Sequence, residues 1–154
     1  MTTIAIASDH AGFKTKQAII GFLEKSGYSV TDHGTYSEAS ADYPDFAHPL
    51  AASVENGKAL YGIALCGSGN GINMTVNKYG KIRSALCWSE EIAALARKHN
   101  DANICAIPAR FVTEKKALEI VNVFLNTGFE GGRHERRVKK ISAVTDEVDG
   151  KCKL

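Results

Sequence analysis

The stretch Leu60-Tyr61-Gly62-Ile63-Ala64-Leu65-Cys66-Gly67-Ser68-Gly69-Asn70-Gly71-Ile72 runs from an apolar segment straight into a glycine-rich turn. A short apolar run that ends in glycines and then resumes with helical spacing reads as a buried strand feeding a helix. The same unit recurs on either side. Residues 4–7 read as a strand, and residues 13–25 as a helix with Ile19, Phe22 and Leu23 on one face. Gly27 closes that helix, and residues 29–32 begin a second strand. A polar loop leads to a helix from about Pro44 to Asn56. Residues 60–65 form the third strand, followed by a helix to about Tyr79.

Residues 82–87 make a fourth strand, and Ser89 caps a helix carrying Ile92, Leu95 and Ala96. Residues 103–107 make a fifth strand, Thr113 caps a helix over 114–126 that Gly128 ends, and a last helix begins near Arg133. Strands alternating with helices predict a three-layer α/β/α, Rossmann-like fold with a five-stranded parallel sheet. Right-handed crossovers make 2-1-3-4-5 the expected strand order. One domain is expected over residues 1–145, with 146–154 a flexible tail.

A net charge of +2 places no demand for nucleic acid or an anionic membrane on the chain as a whole. No apolar run approaches the roughly 20 residues of a membrane span. The start, MTTIAIASDH, has neither the basic nor the long apolar region of a signal peptide. The four cysteines (66, 87, 105 and 152) form no CxxC pair, so a reduced, cytoplasmic protein is expected.

In a sheet of order 2-1-3-4-5 the ligand site lies at the carboxyl ends of strands 1 and 3. Those ends carry Ser8-Asp9-His10 and Cys66-Gly67-Ser68-Gly69. The glycine loop fails three familiar patterns. A Walker loop needs lysine where Ser68 stands, and a dinucleotide fingerprint needs glycine where Ile72 stands. A cysteine-phosphatase cradle would need arginine at that same Ile72. What remains is a set of backbone N–H donors beside a thiol, suited to a developing oxyanion. The same residues also fit a plain strand-to-helix turn with an inert core cysteine. Asp9 and His10 fit acid–base work and anion binding, or helix capping and an exposed histidine.

His99 and Asn100 end the helix after strand 4, which runs back toward the amino ends of the sheet. If they act in catalysis, they serve a neighbouring subunit; otherwise the helix dipole alone accounts for His99. Arg133 and Arg137 are spaced i,i+4 on one helix face, a clamp for a phosphate dianion or a solvated basic face. No aromatics interleave with them, which argues against stacking on bases. The histidines form no HxxH or HxxxH pair, so no metal site is expected.

Together, SDHAGFKTK, DYPDFA, CGSGNGI, Asn77-Lys78, KIRSALC, RKHND-AN and EGGRHERRV resemble the type B ribose-5-phosphate isomerase family, which includes galactose-6-phosphate isomerase subunits. The likeness covers roughly residues 4–144. It implies a homodimer or dimer of dimers with sites at the subunit interface. The implied reaction is cofactor-free and metal-free aldose–ketose isomerisation of a sugar phosphate, in the pentose phosphate pathway. Carried over, Cys66 is the base at C2 with Ser68 beside it. Gly67, Gly69, Asn70 and Gly71 hold the enediolate, Asp9 shuttles hydroxyl protons, and His99 opens the sugar ring. His10, Arg133 and Arg137 grip the phosphate, while Tyr43, Asn100 and Arg110 complete the substrate contacts. Some family members replace the cysteine by a carboxylate further along the next helix; INMTVNK here has none. Two other readings stand beside this one: an allose 6-phosphate or galactose 6-phosphate isomerase, and a sugar-phosphate-binding regulatory module.

Overall fold

The computed structural model describes residues 1–142. The elements are β1 (Thr3–Ser8), a 3₁₀ turn (His10–Gly12), α1 (Phe13–Lys25), β2 (Ser29–Asp32), α2 (Tyr43–Glu55), β3 (Tyr61–Cys66) and α3 (Asn70–Val76). They continue with β4 (Ser84–Leu86), α4 (Glu90–Asn100), β5 (Ile104–Pro108), α5 (Glu114–Leu125) and α6 (Arg133–Ile141). All the strand pairs are parallel, and helices cover both faces of the five-stranded sheet. The three-layer α/β/α class expected from the sequence is therefore the fold. The tail expected over 146–154, with Cys152, lies outside the described residues.

Strand alternation divides the core into two unlike halves. Ile4, Ile6, Ile63, Leu65, Cys105 and Ile107 point to one side, where Ile19 and Leu23 of α1, Ala93 of α4 and Phe124 of α5 meet them. Ala5, Ala7, Ala64 and Ala106 point to the other, under α2 and α3. Small residues on that side let the two helices lie close to the sheet. Gly62 shows the limit: a Cβ there would stand 2.9 Å from Ile104 and 3.2 Å from Val54.

The sheet order is β2-β1-β3-β5-β4, so the expected order 2-1-3-4-5 is corrected in its last two strands. The reason lies in burial. Every residue of β5 is buried, which requires a neighbour along each edge, and β3 and β4 supply them. β4 has only three residues, all half-buried, and forms the rim. The expected strand over 82–87 shrinks accordingly. Right-handed crossovers then place α4, which returns from the rim, against α5, which in turn packs on α1, rather than beside α3. The helix after β3 is also shorter than expected and ends at Val76.

Two buried cations brace the ends of the sheet. Arg97 donates to the Ala102 carbonyl at 2.6 Å, to Asp101 at 2.9 Å and to the Tyr61 hydroxyl at 3.1 Å. It ties the end of α4 to the starts of β5 and β3. Lys16 of α1 is fully buried and binds Asp32 at the end of β2. No helix among the described residues is long and apolar enough to cross a membrane.

Candidate active site

The end of β3 and the glycine turn are held from two sides. The Cys66 and Gly67 carbonyls accept from the Ala109 and Arg110 amides, both at 3.0 Å, at the end of β5. Gly69 takes φ +74°, and any side chain there would run into Leu86 and stand 3.1 Å from the Pro108 nitrogen. Only glycine fits. Cys66 is thereby fixed, 4% exposed, at the base of the turn. The Ser68 hydroxyl accepts from the Asn70 amide at 3.3 Å and pins the turn's crest.

β1 delivers Asp9 and His10 next to this turn. The Asp9 amide donates to the Leu65 carbonyl at 3.2 Å, so the two strand ends are directly linked. Gly12 permits the approach, because a Cβ there would lie 2.7 Å from that of Leu65. The buried Asp9 carboxylate caps the 3₁₀ turn, accepting from Ala11 at 2.9 Å and Gly12 at 3.2 Å. Asp9 thus caps the turn and stands at the strand end next to the glycine turn. His10 Nδ1 accepts from the Ala41 amide at 3.1 Å.

Two further side chains reach the turn from elements distant in sequence. The Tyr43 ring, at the start of α2, lies over Gly71, where a Cβ would stand 2.7 Å from its Oη. The Arg110 guanidinium lies over Gly67, its Nη1 3.2 Å from where a Cβ would be. The turn has no cation of its own, and the fold places one above it. Asp9, His10, Tyr43, Cys66, Gly67, Ser68, Gly69, Asn70, Gly71 and Arg110 therefore form one cluster at the carboxyl ends of the sheet.

The remaining candidates form a second cluster at the opposite end. Asn100 closes α4, and its carbonyl accepts from Arg83 Nε at 3.1 Å, just before β4 begins. Cys66 pairs in register with Pro108, the last residue of β5, so the length of that strand, roughly 15 Å, separates the clusters. α6 packs on α4 and brings Arg133 and Arg137, both exposed, beside His99. The His99 and His134 rings stack 4.2 Å apart at 9°. Burial, together with the His99 and Arg133 charges, holds the His134 imidazolium below the ordinary histidine range.

The sequence reading passed over His134 and Glu130. Their ligand atoms and that of His99 lie within 4.8 Å of one another, a grouping created by α4 packing on α6 rather than by a sequence motif.

A doubly wound sheet with a thiol, a carboxylate and a donor-rich turn at its switch point defines an α/β/α enzyme for a small polar ligand. A family model described as Ribose/Galactose Isomerase matches residues 4–141. The chain belongs to that family. It is 43% identical over 148 residues to a probable ribose-5-phosphate isomerase B of Mycoplasma genitalium, covering 95% of this chain and 97% of the relative. It is 40% identical to the ribose-5-phosphate isomerase B of Escherichia coli, covering 94% and 97%. The crystal structure of a Thermotoga maritima ribose 5-phosphate isomerase superposes with a TM-score of 0.90 at 48% identity, covering 92% and 98%. The Mycoplasma genitalium ribose-5-phosphate isomerase B, solved with bound ribulose 5-phosphate, gives 0.90 at 43% identity, covering 95% and 97%.

Proposed function

We propose that this chain interconverts ribose 5-phosphate and ribulose 5-phosphate without a metal, through an enediolate. The observation that carries the reading is a buried thiol, Cys66, beneath a glycine turn whose amides and overlying Arg110 favour an anion. In the forward direction the Cys66 thiolate takes the proton from C2 of the open-chain aldose. The electron pair moves into the C1–C2 bond and charge collects on O1, held by the amides of Gly67 to Gly71. The thiol then returns a proton to C1. Asp9 carries the hydroxyl proton from O2 to O1, and the ketose forms with atoms and charge balanced.

Phosphate binding and ring opening belong to the other cluster. Arg133 and Arg137 offer two guanidiniums to the dianion, joined across the subunit boundary by His10 of the first cluster, and His99 moves the ring proton that frees the aldehyde. Asn100 and Tyr43 flank the sugar, and Ser68 stands beside the thiol. Since the two clusters lie at opposite ends of one sheet, a complete site needs a second copy to turn its α4 and α6 toward the first. A homodimer with sites at the interface supplies that arrangement.

Two experiments test this. Aldose 5- and 6-phosphates assayed with chelator present distinguish ribose 5-phosphate from allose 6-phosphate and galactose 6-phosphate. Absence of turnover on all of them, with binding retained, would leave a sugar-phosphate-binding module and give Cys66 no task. Mixing Cys66→Ala chains with His99→Asn chains should restore activity in mixed dimers; inert mixtures would sink the shared site.

A further inference from the structure

His10 is held by a loop, and the loop is anchored by a buried ion pair. The Lys16 ammonium is fully buried and reaches both Asp32 carboxylate oxygens, at 2.5 and 2.6 Å. The Phe13 and Tyr36 rings cover it at 5.7 and 5.3 Å. Burying an ammonium is costly, and among the described residues the cost is met by that one carboxylate and two ring faces. Asp32 in turn accepts from the Gly34 amide at 2.9 Å. Gly34 and Thr35 then pair with Ser8, the residue before Asp9, at 2.7 and 2.6 Å. The path of the loop over 33–42 is thus set at its root.

At its far end the loop presents the Ala41 amide to His10 Nδ1 at 3.1 Å, and α2 begins with Tyr43 two residues on. The Ala41 carbonyl lies 3.3 Å from the same nitrogen, but a proton on Nδ1 would collide with the amide hydrogen. Nδ1 therefore accepts, and the neutral ring carries its proton on Nε2.

We propose that the Lys16–Asp32 pair is a positioning device that holds the 33–42 loop so that Ala41 fixes His10 in the Nε2–H tautomer, ready to donate to the substrate's anion. The pair touches neither substrate nor reacting atoms. Its role rests on the reading of His10 as a phosphate-binding residue, and the test separates the two.

Selective 15N labelling of histidine at about pH 8, above the ordinary imidazole range, reads the His10 tautomer directly. Lys16→Met removes the buried charge. Lys16→Met combined with Asp32→Asn removes both charges and serves if Lys16→Met alone does not fold. Expected in the folded variants is a mixed His10 tautomer. KM should rise about two- to threefold with kcat within about twofold, as for a donor tautomer that is populated only in part. A His10 ring that keeps its Nε2–H tautomer in both variants overturns the proposal. A mixed tautomer with unchanged KM upholds the positioning role and removes His10 from the phosphate site.

Discussion

Replacing Gly71 by alanine separates a local helical preference from a contact made across the fold. Gly71 is the second residue of α3. In an open helix, glycine to alanine gains roughly 0.5–1 kcal/mol. Here the added methyl would stand 2.7 Å from Tyr43 Oη and 2.8 Å from Cε1, closer still to Cζ, so the ring must leave. Tyr43 is 36% exposed, and turning it into solvent forfeits the buried share of its area. At about 25 cal/mol per Å² over roughly 100 Å², that is about 2.5 kcal/mol. The net loss is therefore about 1.5–2 kcal/mol, a fall in Tm of roughly 5 °C for a chain this size. In a Tyr43→Ala background the obstacle is gone, and the same substitution should raise Tm slightly. Calorimetry on the four proteins of the cycle reads the reversal of sign. Equal shifts in both backgrounds, or a stabilised single variant, would refute the contact. Isomerase KM should rise in Gly71→Ala with the displaced ring, while Cys66 stays in place.

Iodoacetamide should modify Cys66 with loss of activity while sparing Cys87 and Cys105, read by peptide mass spectrometry. Both are fully buried, and the hydrogen bond to Cys87 together with burial raises the Cys105 thiol far above the usual range. Early labelling of Cys105 would contradict this. His134 predicts an acid-side loss of stability. Its folded-state affinity for a proton is lowered, so the unfolded chain protonates first, and stability falls as pH drops through about 6.5. Tm should decline from pH 7 to pH 5 more steeply in the parent than in His134→Gln, and parallel slopes would argue against it. Arg133→Ala and Arg137→Ala should each raise KM about tenfold with little change in kcat, the effect weakening in high salt. A fall in kcat alone would move these residues from binding to chemistry.

The layers of the fold were legible because each central strand is a continuous apolar run, and each helix carries a cap or a glycine at its end. Ser89 and Thr113 cap α4 and α5 through Ile92 and Lys116, as their spacing indicates. Gly27, at φ +85°, turns the chain out of α1. The rim was not legible. β4 contributes three half-buried residues, too few for a period to show, and the apolar pattern does not say on which side of β5 they lie. Strand order there depends on whether a crossover moves outward or returns, which is a matter of tertiary packing.

The site divides along the same line. Asp9 with His10, and Cys66 with Gly67 to Gly71, are neighbours in sequence at strand ends, so the switch-point rule brings them together without coordinates. Arg133 with Arg137 is a helical spacing and equally local. The contacts that complete each cluster span long stretches of chain: Ala41 on His10, Tyr43 over Gly71, Arg110 over Gly67, His99 against His134. Each depends on which helix lies beside which strand, and no one-dimensional pattern encodes that. The glycines do leave a mark of it. Gly67, Gly69 and Gly71 each face a side chain or backbone atom from another element, so the turn's composition records its neighbours as much as its own curvature. A glycine-rich turn that fails the phosphate-loop patterns is better read as a place where other elements come close.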